Sequence, residues 1–294
     1  RFDRSGPAAS YQWPLDAGER HIKAEGVKMS QVKSNGIELY YEIHGRGQPL
    51  LLIAGVGYGA WFWHKLVQEL KDDFQVIVFD NRGSGQSDQP DGPYSVPMMA
   101  ADTAGLLDAL ELKDAIVMGH SLGGFIAQEL AVSRPELIGK LILASTNHGG
   151  MQVVPITPEA MEVLTNREGD PVELVKRGIE IACAPGFGDK HPEVVKELMD
   201  YRFTNPVPPS QYQAQVAAGA GTAAYTPDMV DQRLGSIQVP TLILFGEHDR
   251  VVPPGNAELM AGKIPDARVE IIPNTGHIFP IEDPSAAAEI IRNF

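Results

Sequence analysis

Few residues of this chain have the types and spacing to do chemistry, and one sits in a telling frame. Gly119-His120-Ser121-Leu122-Gly123 reads G-x-S-x-G. It follows the apolar run Ala115-Ile116-Val117-Met118 and leads into Phe125-Ile126-Ala127-Gln128-Glu129-Leu130-Ala131, whose apolar spacing is helical. A serine on a sharp strand-to-helix turn is forced into a strained backbone geometry, and flanking glycines leave room for it. Its hydroxyl then stands at the top of the sheet over a helix N-terminus, placed to attack a carbonyl carbon. A glycine-rich turn with a capping serine would account for the same five residues, but it leaves the partners below without a role.

A serine nucleophile needs a base, and a carboxylate to orient that base. Val239-Pro240-Thr241-Leu242-Ile243-Leu244-Phe245-Gly246 reads as a buried strand, followed by Glu247-His248-Asp249-Arg250. Asp249 falls in the turn, where a carboxylate can orient an imidazole; the competing Glu247 stands on the strand end. Another apolar run, Lys140 to Ser145, is followed by Thr146-Asn147-His148, with no carboxylate. Val269-Glu270-Ile271-Ile272-Pro273 reads as the last strand, and Asn274-Thr275-Gly276-His277 follows it. A histidine in a loop is usually a solvated surface residue. The order Ser121, Asp249, His277, each after a strand, makes His277 the expected base and Asp249 the expected acid. His120 and His248 are expected to be largely dispensable.

Together with Asp80-Asn81-Arg82-Gly83-Ser84-Gly85-Gln86-Ser87 upstream, these motifs resemble the α/β-hydrolase superfamily from about Gly36 to the end of the chain. The stretch Asp80 to Leu110, with Gly92-Pro93-Tyr94-Ser95, is most similar to the esterase and enol-lactonase branch. The resemblance implies an oxyanion hole built from two backbone N–H groups. One belongs to Leu122, after the nucleophile. The other comes from the loop Ala54-Gly55-Val56, where Val56 matches the donor. Ala54 stands where the superfamily usually has histidine. Because the donor is main chain, that departure bears on how the loop is braced rather than on the donor. The serine also separates this chain from the dehalogenase and epoxide-hydrolase branches, which place aspartate there.

A rival motif overlaps that loop. Gly55-Val56-Gly57-Tyr58-Gly59-Ala60 matches G-x-G-x-x-A after a strand, and Asp80 ends the next strand about twenty residues on, as in a dinucleotide site. The dinucleotide-dependent oxidoreductase reading leaves Ser121, Asp249 and His277 without work, and Asp80 runs straight into the Arg82-Gly83-Ser84-Gly85 loop. The expectation is therefore no cofactor. No H-E-x-x-H or cysteine cluster suggests a metal either.

The elements that must position these residues alternate. Strands are expected at about 50–54, 75–80, 115–119, 139–145, 240–246 and 268–273, with Ile37 to Ile43 also strand-like. Helices are expected at about 60–71, 97–111, 122–133, 255–264 and 283–293. This rhythm predicts an α/β chain with a mostly parallel sheet flanked by helices. It breaks between Thr146 and Ser236, where helical segments lie near 158–166, 171–184, 191–202 and 210–219. The expected organisation is a core of 29–146 and 237–294, with 147–236 a helical cap inserted before the acid strand. Residues 1–28 are polar and irregular. They read as an extension foreign to the fold or loosely ordered, or else as an arm packing on a surface or partner. Tyr58 and Trp61, after the oxyanion loop, and Met151, in the cap, are the candidate substrate contacts. Helix packing would explain Trp61 equally well.

Composition bounds the remainder. The 294 residues carry a formal net charge of −14, which argues against nucleic acid and anionic membrane partners and mildly against highly anionic substrates. Cys183 stands alone, so no internal disulfide forms, and a cytoplasmic setting is expected. No apolar run is long enough to span a bilayer. The expected activity is hydrolysis of a carboxylic ester through an acyl-enzyme. A lactone is the next candidate, and a carbon–carbon bond hydrolase or a cofactor-free perhydrolase would use the same three residues. The oligomeric state is open.

Overall fold

The computed structural model describes residues 27–166 and 168–294. Its elements run β1 (Val27–Ser34), β2 (Ile37–His44), β3 (Gln48–Ile53), α1 (His64–Leu70), β4 (Phe74–Phe79), α2 (Val96–Ala109), β5 (Ala115–His120), α3 (Leu122–Ser133) and β6 (Ile138–Ala144). Six helices follow: α4 (Pro158–Thr165), α5 (Pro171–Ala182), α6 (Phe187–Lys190), α7 (Pro192–Thr204), α8 (Pro209–Ala220) and α9 (Pro227–Gly235). The chain then returns to the sheet with β7 (Thr241–Gly246), α10 (Gly255–Ala261), β8 (Ala267–Ile272), α11 (Phe279–Glu282) and α12 (Pro284–Arg292).

The eight strands form one sheet in the order β1-β2-β4-β3-β5-β6-β7-β8. Pairings from β4 to β8 are parallel; β1 with β2 and β2 with β4 are antiparallel. The central strands are apolar throughout because both faces are covered. Alternate residues go to opposite sides. Leu51, Ile53, Val117, Leu141, Leu143, Ile243 and Phe245 join one core, with α2 and α3. Leu50, Leu52, Ile116, Met118, Ile142, Leu242 and Leu244 join the other, with α1 and α12.

β3 has β4 on one side and β5 on the other, so the strand order reverses there. Loops leaving β3 and β5 must diverge at such a point, opening a crevice at the carboxyl ends of the strands. Ser121 and Gly55 stand in those two loops.

Three expectations are corrected. The helix expected at 60–71 begins as a 3-10 turn, Ala60–Trp63, before α1. β1 is an additional edge strand whose described residues show only Ser34 buried, so it has no apolar alternation to announce it. Val27 and Lys28, assigned to the N-terminal extension, belong to β1; the rest of that extension lies outside the described residues. Among the described residues, no helix is long and apolar enough to cross a membrane.

Candidate active site

Ser121 sits between β5 and α3 with φ 56° and ψ −118°, a conformation that costs a non-glycine residue energy. Close packing holds it. A side chain at Gly119 would run into the carbonyl of Gly123, and one at Gly123 into the carbonyl of Ile53. Ser121 N–H donates to Ala144 O at 2.9 Å, and Thr146 Oγ1 donates to Ser121 O at 3.0 Å. Leu122 is the first residue of α3, where a helix leaves backbone N–H groups unbonded.

His277 and Asp249 arrive from the loops after β8 and β7. His277 Nδ1 lies 2.8 Å from Asp249 Oδ2, with the residues 5% and 3% exposed. Asp249 Oδ1 accepts from the N–H groups of Val251 and Val252 at 2.9 and 2.7 Å, so the whole carboxylate is satisfied and fixed. Glu247 points elsewhere: its Oε2 accepts from Asn274 N–H at 2.9 Å at the surface. His248 is exposed.

His120, expected to be largely dispensable, is packed against the His277 loop. It is fully buried, and its Nε2 lies 2.7 Å from the carbonyl oxygen of His277. The carbonyl can only accept, so Nε2 carries the proton and the ring braces the His277 loop. Burial, with the His277 ring beside it, holds the imidazole well below its ordinary pKa, so it stays neutral. Glu282 braces the same loop. Its carboxylate accepts from Gly276 N–H at 2.8 Å and from Ala184 N–H at 2.7 Å, and burial raises its pKa to about 7.

Ser121 and His277 line one cavity of about 160 Å³ with Gly55, Val56 and Tyr58. A β-carbon built on Gly55 would stand 3.0 Å from Ser121 Cβ, so the loop after β3 lies against the serine. Much of the remaining lining is apolar and comes from the helices between β6 and β7: Ala160, Val163 and Leu164 of α4, then Leu174, Val175, Ile179 and Ile181 of α5. No hydrogen bond joins Ser121 Oγ to His277 among the described residues; such contacts are often loose before substrate binds. Tyr58 lines the cavity. Trp61 does not, and stacks on Tyr201 with ring centroids 5.3 Å apart. Met151 is 84% exposed and lies at a separate small pocket beside His148 and Tyr225, away from the cavity that Ser121 and His277 line.

The structure answers how the loop is braced with Ala54 in place of histidine. Asn81 Nδ2 donates to Ala54 O at 3.0 Å, and Gln215 Oε1 accepts from Gly57 N–H at 2.9 Å. Arg202 Nη1 donates to Gly57 O. Asp80 accepts from Ala60 N–H at 2.7 Å and Gln86 N–H at 2.8 Å. Both its oxygens are thus spent on loops, which undercuts the ribose-binding role of the rival motif. Gln215 and Arg202 escaped sequence reasoning. Their only trace was a polar side chain within helices of unknown orientation.

Comparison with known proteins agrees with this architecture. A family model described as alpha/beta hydrolase fold matches residues 48–284. A protein of Azorhizobium caulinodans, provisionally named carbamate hydrolase RutD, is 31% identical over 265 residues, spanning 87% of this chain and 94% of its own. A solved thermophilic esterase from Thermogutta terrifontis superposes with a TM-score of 0.73 at 31% identity, covering 90% of this chain and 97% of its own. Est816, described as an N-acyl homoserine lactone degrading enzyme, superposes with a TM-score of 0.72 at 29% identity, covering 90% and 100%. With its sheet order, its Ser121 turn and a family match across most of its length, this chain belongs to the alpha/beta hydrolase fold family.

Proposed function

We propose that this protein is a serine hydrolase that cleaves carboxylic esters through an acyl-enzyme. The observation that carries the reading is the 2.8 Å contact of His277 Nδ1 with Asp249, beside a cavity that His277 shares with Ser121. With Nδ1–H donated to the carboxylate, Nε2 of the neutral ring is the acceptor. It takes the proton from Ser121 Oγ as that oxygen attacks the carbonyl carbon. Backbone N–H groups of Val56 and Leu122 stabilise the oxyanion. His277 then protonates the leaving alcohol, with Asp249 stabilising the imidazolium. Water, deprotonated by the same ring, attacks the acyl-enzyme, releases the acid and restores Ser121.

Residues 147–236 act as a cap over Ser121, and their apolar wall suits a small or medium acyl group. A lactone is the second reading, supported by the likeness to Est816. A lactone presents the same carbonyl to the same nucleophile. The name of the Azorhizobium relative keeps carbamates within the same acyl chemistry. The single cysteine, buried, fits a reducing compartment such as the cytoplasm.

A panel of p-nitrophenyl esters of increasing acyl length, with N-acyl homoserine lactones and an aryl carbamate beside them, tests the reading. Ester turnover should dominate and peak at short to medium chains. If no ester is turned over faster by the wild type than by Ser121→Ala protein, the reading is wrong.

A further inference from the structure

The cavity holds a charge that the acyl-transfer steps do not use. Arg202, on α7, is a lining residue, and among the described residues no carboxylate-bearing one lines the cavity with it. Its guanidinium lies 3.8 Å from the centre of the Tyr58 ring and donates one N–H to the Gly57 carbonyl. The nearby acids of α7 are engaged elsewhere. Glu197 pairs with Lys65 at 3.0 Å and His64 at 3.1 Å, and Asp200 pairs with Lys196 at 2.6 Å. Arg202 enters none of the ion pairs among the described residues. A guanidinium has five N–H donors in a fixed fork. Stacking on Tyr58 and the Gly57 bond hold that fork in place and leave donors over. Such a group, preorganised in an apolar cavity, is built to take a carboxylate by paired, charge-assisted bonds.

We propose that Arg202 is a carboxylate-binding subsite, so that the preferred substrates are esters or lactones that also carry a free carboxylate. This rests on the ester-hydrolase reading above. It also qualifies the expectation drawn from net charge. The −14 total counts the whole chain, whereas Arg202 lines the cavity itself. The bond to Gly57, one residue past Val56, puts the subsite next to the expected oxyanion donor. The carboxylate should therefore lie a few bonds from the scissile carbonyl, in either the acyl part or the leaving group.

Two substrate pairs test this on the intact protein. Monomethyl adipate against methyl hexanoate places the charge on the acyl side. Acetoxybutanoate, acetylated at the terminal oxygen, against butyl acetate places it on the alcohol side. In at least one pair, the wild type should prefer the charged member by kcat/KM, and that pair names the side. Arg202→Met should lower both members, because Gly57 loses its brace. It should lower the charged one by a further ten- to hundredfold, the range of a hydrogen bond to a charged group. Arg202→Lys should restore part of the preference, and melting temperatures of all three proteins identify any that fails to fold. A wild type that disfavours the charged member in both pairs would overturn the subsite. So would an Arg202→Met protein that loses both members equally, since Arg202 would then only brace the loop. If no ester is turned over, the ester-hydrolase reading falls, and calorimetric titration with adipate judges the subsite alone. Binding by wild type but not by Arg202→Met upholds it; binding by neither, or equally by both, overturns it.

Discussion

Two loops meet at the cavity, and they are held in opposite ways. The Ser121 turn is fixed from within the sheet, by Ala144 O behind it and Thr146 Oγ1 beside it. The loop from Gly55 to Gly57 leans partly on side chains from the inserted helices, Gln215 of α8 and Arg202 of α7. Ser121 is thus tied to the core, whereas the expected second oxyanion donor depends on how the helices above it sit. Reactivity should be robust in the first region and adjustable in the second.

Changes to the core-held machinery should cost most. Asp249→Asn removes the carboxylate that fixes the His277 tautomer, and ester turnover should fall about 10⁴-fold, as for the equivalent change in serine proteases. Glu247→Gln, at the surface, is the control and should change little. Comparable losses in both, measured as kcat/KM on one ester, would move the acid away from Asp249.

Changes to the second loop should cost less. Val56→Pro removes an N–H donor and should lower turnover about a hundredfold, whereas Val56→Ala should retain most of it. A folded Val56→Pro protein with full activity would take that N–H out of the oxyanion hole. Gln215→Ala leaves the donor but frees the Gly57 N–H and the loop around Arg82 and Ser84, which Gln215 Nε2 also contacts at 3.0 and 2.9 Å. Turnover should drop about tenfold, the scale of one or two ordinary hydrogen bonds. A loss matching Asp249→Asn would mean that the inserted helices hold the chemistry as tightly as the core does.

The smallest expected effect is on stability. Glu282 ties the His277 loop to the end of α5, and its pKa is raised from the ordinary carboxylate value to about 7. A folded-state pKa above the unfolded one means that the folded protein binds the extra proton. Its contribution is therefore most favourable below the unfolded carboxylate pKa and declines as pH rises through about 7. Melting temperatures of wild type and Glu282→Gln should show the wild type losing ground to the variant across that interval. A difference that widens in favour of wild type would reverse the sign.

What the chain discloses by inspection follows the same division. Ser121, Asp249 and His277 were legible because each follows an apolar strand, and strand ends in a parallel sheet converge by topology. Met151 and Trp61, expected as candidate substrate contacts, do not line the cavity that Ser121 and His277 share, and no motif marks Gln215 or Arg202. Trp61, Gln215 and Arg202 belong to the inserted helices or pack against them, and helix-on-helix orientation is set by shape complementarity that no short motif records, whereas Met151 stands exposed in the loop before α4. β1 escaped for a simpler reason: an edge strand with little buried surface carries no apolar period.

The central claim, that Ser121 is the residue that becomes acylated, is tested most directly by intact-mass and peptide mass spectrometry after exposure to a fluorophosphonate. The expected result is one adduct on wild type, mapped to Ser121, and none on a folded Ser121→Ala protein. An adduct that persists in Ser121→Ala, or that maps elsewhere in the wild type, would contradict the account.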